Sequence, residues 1–173
     1  MKSFVGVVMG SDSDLTVMAE SAKVLEQLGV LSEMRVLSAH RVPEDLVKWI
    51  QSAEKKGCKV FIAGAGMAAA LPGTVAAHTT LPVIGIPLTS SNSAVGGLDA
   101  LLSIVQMPPG VPVATVGLNA GKNAGMLAAQ IIGLSDKAVA KNVAAYKSKQ
   151  ASDVLAKDKK LQKLGHKKYL EEK

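Results

Sequence analysis

Five short apolar runs rich in β-branched residues recur along the chain at fairly even spacing, at residues 4–9, 33–37, 60–63, 83–86 and 113–116. Between them the apolar positions change to helical spacing. Leu15, Met18, Ala22, Leu25 and Leu28 fall three or four apart and stop before Gly29, and Leu46, Trp49, Ile50 and Ala53 do the same before Gly57. Stripes at this period bury one face of a helix, and a glycine after the last periodic position marks its end. The alternation predicts an α/β fold, a five-stranded parallel sheet with helices on both faces and right-handed crossovers. Beyond the fifth run, residues 123–134 predict a helix of small residues suited to close packing. Residues 135–173 predict two more helices, broken near Gly165.

Polar clusters stand where strands give way to helices, the places where α/β proteins bind ligands. Ser38-Ala39-His40-Arg41 sets a proton carrier beside an anion binder, just ahead of Pro43. Gly10-Ser11-Asp12-Ser13-Asp14 follows the first run and opens the first helix, so backbone N–H groups, a helix dipole and two hydroxyls converge there. An N-cap accounts for one of these polar residues but not for all four. Asp14 is unsuited to face a phosphate and better suited to accept from a sugar diol. Two such turns side by side form one crevice. The segment at residues 64–73, after the third run, is built of Gly and Ala; it admits a flat ligand, but close packing of a helix on the sheet is the simpler reading. The polar loop at residues 89–93 and the proline-stiffened one at 106–110 are candidate lids, or ordinary solvated connections.

Composition narrows the class of protein. A chain of 173 residues suits a single domain with a sizeable core. With 48% hydrophobic residues but only 3% aromatic, that core is aliphatic and thinly layered. The formal net charge of +6 is not spread over the molecule: residues 1–135 hold nine basic and nine acidic side chains, and residues 136–173 hold eleven lysines against five acids. A neutral α/β catalytic domain (1–135) with a lysine-rich helical extension (136–173) follows. The extension has no arginine and two tyrosines, which suits a solvated or intersubunit helix better than a nucleic-acid surface. The first apolar run is too short for an export signal, and the Gly/Ala-rich stretch at 60–77 contains Pro72 and few large aliphatics, so a cytoplasmic protein without membrane contact is expected. The lone Cys58 excludes an internal disulfide and reads as a buried thiol. Trp49 reads as core or interface packing, and His78 and His166 as structural or tail residues. His40 is left as the general acid/base candidate, and three dispersed histidines assemble no metal site.

Several ordered segments resemble one family over essentially the whole chain: Val8-Met9-Gly10-Ser11-Asp12-Ser13-Asp14, Ser38-Ala39-His40-Arg41-Val42-Pro43, Ile62-Ala63-Gly64-Ala65-Gly66, Leu81-Pro82-Val83-Ile84-Gly85-Ile86-Pro87 and Ser103-Ile104-Val105-Gln106-Met107-Pro108. The chain resembles the class I PurE family, the N5-carboxyaminoimidazole ribonucleotide mutases of purine biosynthesis. The resemblance implies a three-layer flavodoxin-like fold, a homo-octamer with exchanged C-terminal helices, no cofactor, and a small-molecule ribonucleotide as substrate. It implies that Arg41 and Ser11 hold the 5′-phosphate region and Asp14 the ribose hydroxyls, and that His40 transfers the protons. Ser13, Ser38 and Gly66 would line the pocket that retains carbon dioxide. Ala70 departs from the histidine common in the family, and Gly66-Met67 from its Gly-Gly. Arginine at position 41 favours the mutase over direct carboxylation of the uncarboxylated ribonucleotide. That carboxylase, a carboxylase of another heterocycle, and a non-catalytic phosphoribosyl-ligand binder are the alternatives.

Overall fold

Each apolar run becomes a parallel strand, and each stripe the buried face of a helix. The computed structural model describes residues 3–93 and 95–173. In chain order the elements are β1 (Phe4–Met9), a single 3-10 turn (Asp12–Asp14), α1 (Leu15–Gln27), β2 (Leu31–Val36), α2 (Pro43–Lys55), β3 (Cys58–Gly66) and α3 (Ala70–Ala77). They continue through β4 (Val83–Leu88), α4 (Leu98–Val105), β5 (Ala114–Thr115), α5 (Gly121–Gly133) and α6 (Lys137–Glu171). The strand order β2-β1-β3-β4-β5, parallel throughout, is the doubly wound, flavodoxin-like arrangement expected.

The two faces of the sheet carry separate cores. On one, Val5, Val7, Ile62 and Ile84 meet Met18 and Leu25 of α1, Ala124 and Ala128 of α5, and Val139 and Val143 of α6. On the other, Val8, Phe61 and Ala63 meet Leu46, Trp49 and Ile50 of α2, with Val75 of α3 and Ile104 of α4. Trp49 is a core residue, its ring edge-on to Phe61 at 5.4 Å and its Nε1 donating to Glu33 Oε1 at 2.7 Å. Cys58 is buried, and desolvation pushes its thiol up to about 11, the inert form anticipated.

Element boundaries differ from the sequence reading in ways that packing explains. β3 runs longer at both ends than 60–63, because it is flanked by strands on both sides. β5 shrinks to two residues, pairing only with Ile84 and Gly85 at the sheet edge. β2, the other edge, starts at Leu31 rather than 33. Leu15 heads the α1 stripe in the sequence but is 47% exposed, while Ser21 and Val24 are buried in its place. The reason is the close approach of α5. A Cβ on Gly121 would lie 2.2 Å from the Val17 carbonyl oxygen, and one on Gly125 2.6 Å from that of Ser21. The two helix backbones therefore touch, and the Ser21 hydroxyl donates to the Gly121 carbonyl at 2.9 Å. Gly121→Ala must push the helices apart, and it is expected to cost about 3 kcal/mol and to lower the melting temperature by roughly 5–10 °C in a thermal scan.

α6 is held by its first turns. Asp136 caps it through Ala138 N and Val139 N, and the Asn142 amide donates to the Leu28 carbonyl at 3.0 Å, at the end of the sheet where the strands begin. The predicted break falls at Gly165 (φ +70°, ψ 162°). Past it the chain turns back, so that Lys160 pairs with Glu172 at 3.0 Å and lies over the Tyr169 ring. No helix among the described residues is long and apolar enough to cross a membrane.

Candidate active site

The chain steps to one side of β1 to form β2 and to the other to form β3, so the topological switch lies between β1 and β3. Ligands of doubly wound sheets bind outside the carboxyl ends of the strands at that point. The loops after β1, β2, β3 and β4 enclose a cavity of about 300 Å³ there, at the small end of small-molecule sites. It gathers all seven residues singled out by the sequence: Ser11, Ser13, Asp14, Ser38, His40, Arg41 and Gly66.

The first turn is organised by its own hydroxyls. Ser11, extended at φ −147°, accepts from Ser13 N at 3.4 Å and from the Ser13 hydroxyl at 2.9 Å, and its carbonyl accepts from Asp14 N at 3.2 Å. The second turn is tied to the first. Leu37 N donates to the Met9 carbonyl at 2.8 Å, extending the β1–β2 pairing, and Arg41 Nη2 donates to the Gly10 carbonyl at 2.7 Å. Arg41 thereby cross-links the two clusters and keeps other guanidinium N–H groups available, since the group has five donors. His40 stands exposed at the cavity mouth.

Burial pushes the Asp14 carboxyl above its ordinary value, against the lowering effects of the Ser11 backbone and the Ser13 hydroxyl, and the nearby Asp12 charge adds to the rise. A raised acid pKa means that the fold favours the neutral form. The stability this contributes is complete below the ordinary value of 3.8 and is lost as pH rises through the higher folded value. Asp14→Asn is therefore expected to be more stable than the parent at neutral pH, with the difference vanishing on acidification, as read from urea midpoints across pH.

The segment at residues 64–73, for which packing was the simpler reading, packs closely and also lines the cavity. A Cβ on Gly64 would lie 2.3 Å from Met18 Sδ, so packing demands glycine there. Ala65, Gly66, Met67, Ala70 and Leu71 nonetheless line the cavity. At Gly66 a Cβ would come within 3.0 Å of the Leu88 carbonyl oxygen, so this wall is bare backbone. Of the two candidate lids, the 89–93 loop supplies Ser90 and Asn92. The 106–110 loop does not line the cavity; its Met107 packs beside Gly73 of α3 instead. The sequence reading missed Asn119, whose amide accepts from Thr89 N at 3.0 Å and donates to Thr89 Oγ1 at 2.7 Å, anchoring the β4 loop across 30 residues. It also missed that Met67 adopts left-handed backbone (φ +56°). Met67→Gly is expected to remove that strain and to stabilise the protein by roughly 0.5–1 kcal/mol, measurable as a higher urea midpoint.

Fold and cavity together define a flavodoxin-like α/β protein that brings the Ser11–Asp14 turn, His40 and Arg41 together at its topological switch point. The chain belongs to the AIR carboxylase family, whose model matches residues 4–153. It is 50% identical to the N5-carboxyaminoimidazole ribonucleotide mutase of Thermotoga maritima over 98% of both chains. It is 48% identical to the phosphoribosylaminoimidazole carboxylase of Saccharomyces cerevisiae, over all of this chain but 30% of that one. The crystal structure of Treponema denticola PurE superimposes with a TM-score of 0.84 at 31% identity, covering 92% of this chain and 99% of that one.

Proposed function

We propose that this protein is an N5-carboxyaminoimidazole ribonucleotide mutase, moving the substrate carboxylate from exocyclic N5 to ring carbon C4 by decarboxylation and recarboxylation in purine biosynthesis. The observation that carries the assignment is the meeting of His40 and Arg41 with the Ser11, Ser13 and Asp14 turn in one cavity. The mutase relative of matching length supports it.

The chemistry needs few parts. Arg41 and Ser11 bind the 5′-phosphate region, with the N–H groups of the first turn, and Asp14 accepts from the ribose hydroxyls. Binding energy gathered at these remote groups orients the base. Protonated His40 gives its proton to N5 as the N5–carboxylate bond breaks, leaving the amine and carbon dioxide. The electron-rich C4 then attacks carbon dioxide, and His40, now neutral, removes the C4 proton as the aromatic ring is restored. The proton count closes: one is delivered to N5 and one recovered from C4. Carbon dioxide is neutral and binds weakly, so recapture depends on confinement. Ser13, Ser38 and the bare backbone at Gly66 form the enclosing wall.

The 136–173 extension serves assembly. α6 leaves Val154, Leu155 and Leu170 exposed, and α4 presents Leu98, Leu102 and Val105 at helical spacing, apolar faces suited to contacts in a homo-octamer with exchanged helices. The enzyme acts in the cytoplasm on a small-molecule substrate. Direct carboxylation is the second reading, favoured by the 48% identity to the yeast carboxylase. Presenting the N5-carboxylated substrate and, separately, the uncarboxylated ribonucleotide with bicarbonate, with product followed by absorbance, decides between them. Faster turnover of the second pair would overturn the mutase assignment.

A further inference from the structure

Among the described residues only two non-glycines have left-handed backbone, Met67 (φ +56°) and Asn119 (φ +54°). Asn119 has local reasons for it: asparagine tolerates this conformation, and its amide holds Thr89. Methionine has no polar group to bond its own backbone. Nor does burial compensate, since Met67 is 45% exposed. What distinguishes it is position. It lines the cavity while remaining open to solvent, which places it at the mouth, on the side formed by the β3 loop. Its neighbours on that wall, Ala65, Ala70 and Leu71, are apolar, whereas the β1 and β2 turns bring Ser13, Ser38 and His40. The turn is closed by Ala69 N donating to the Met67 carbonyl at 2.9 Å, a bond that glycine would make equally well, so methionine at this position points to a use for the side chain.

We infer that Met67 is a retention residue, its flexible thioether side chain closing the mouth of the cavity over the carbon dioxide set free between the two half-reactions. This rests on the mutase reading. Ala70 leaves the adjoining wall without a bulky side chain, so a long, unbranched and adaptable group is the kind that can cover the opening. Contact with a neutral linear molecule calls for apolar surface rather than a donor or a charge. Met67 performs no bond-making step.

The test follows the carboxylate. Substrate carrying ¹³C in its N5-carboxylate is turned over in unlabelled bicarbonate with carbonic anhydrase present, and label in the C4 product is measured by mass spectrometry. The parent is expected to retain its label. In Met67→Gly the fraction exchanged with bulk is expected to rise roughly tenfold or more, although this variant is relieved of strain and folds at least as well. Met67→Leu, which keeps apolar bulk, is expected to retain label like the parent. Retention by Met67→Gly equal to that of the parent, with both turning over, would overturn the retention role alone. Failure of the parent to convert the substrate would overturn the mutase reading and this role with it.

Discussion

His40→Asn is expected to lower turnover by about 10²- to 10⁴-fold, the usual contribution of a positioned acid/base, while leaving substrate affinity and melting temperature near those of the parent. In the proposed mechanism both half-reactions pass through one proton carrier, so the loss does not divide between steps that another residue sustains. The other two histidines lie outside the cavity: His78 follows α3 with Nδ1 2.9 Å from the Thr74 carbonyl oxygen, and His166 lies in the C-terminal hairpin. His40 is exposed and belongs to no hydrophobic cluster, so asparagine there opens no void. Single-turnover conversion and product-analogue binding, measured on the same preparation, separate the chemical effect from the binding one. Turnover within a few-fold of the parent would remove His40 from the mechanism.

Arg41→Met is expected to act on the other side of that division, raising KM by roughly 10- to 100-fold, the scale on which loss of a hydrogen bond to a charged group acts. The guanidinium has two tasks. In the proposed function it binds the phosphate region, and through the 2.7 Å bond to the Gly10 carbonyl it holds the second turn against the first. Arg41→Lys keeps the charge but not the planar fork, so its KM should fall between those of the parent and Arg41→Met. If the arginine served only to join the turns, lysine and methionine would impair binding alike and the KM of each would be independent of salt.

The sheet was legible because strand runs and helix stripes agree with one another along the chain. The α2 stripe of Leu46, Trp49, Ile50 and Ala53 is buried as its spacing predicts. The placement of the candidate site was legible for a related reason: the polar clusters after β1 and β2 do not fit either neighbouring pattern, and the switch in strand order brings both to one cavity. What stayed hidden depends on contacts distant in sequence. Nothing local to Leu15 shows that α5 comes close enough to α1 to favour Ser21 over it. Nothing local to Asn119 shows that it bonds Thr89, 30 residues earlier. The glycine-rich segment after β3 was ambiguous because small residues serve close packing and ligand approach equally, and here Gly64 is demanded by Met18 while Gly66, itself close to the Leu88 carbonyl, lines the cavity. The left-handed backbone at Met67 is contrary to the preference of its residue type, so no propensity reports it.

The most direct test of the central claim is conversion of freshly prepared N5-carboxyaminoimidazole ribonucleotide in bicarbonate-depleted buffer, with His40→Asn in parallel. Rapid formation of the C4-carboxylated product by the parent and none by the variant is the predicted result. No product from the parent, or product that appears only when bicarbonate is added, would contradict it.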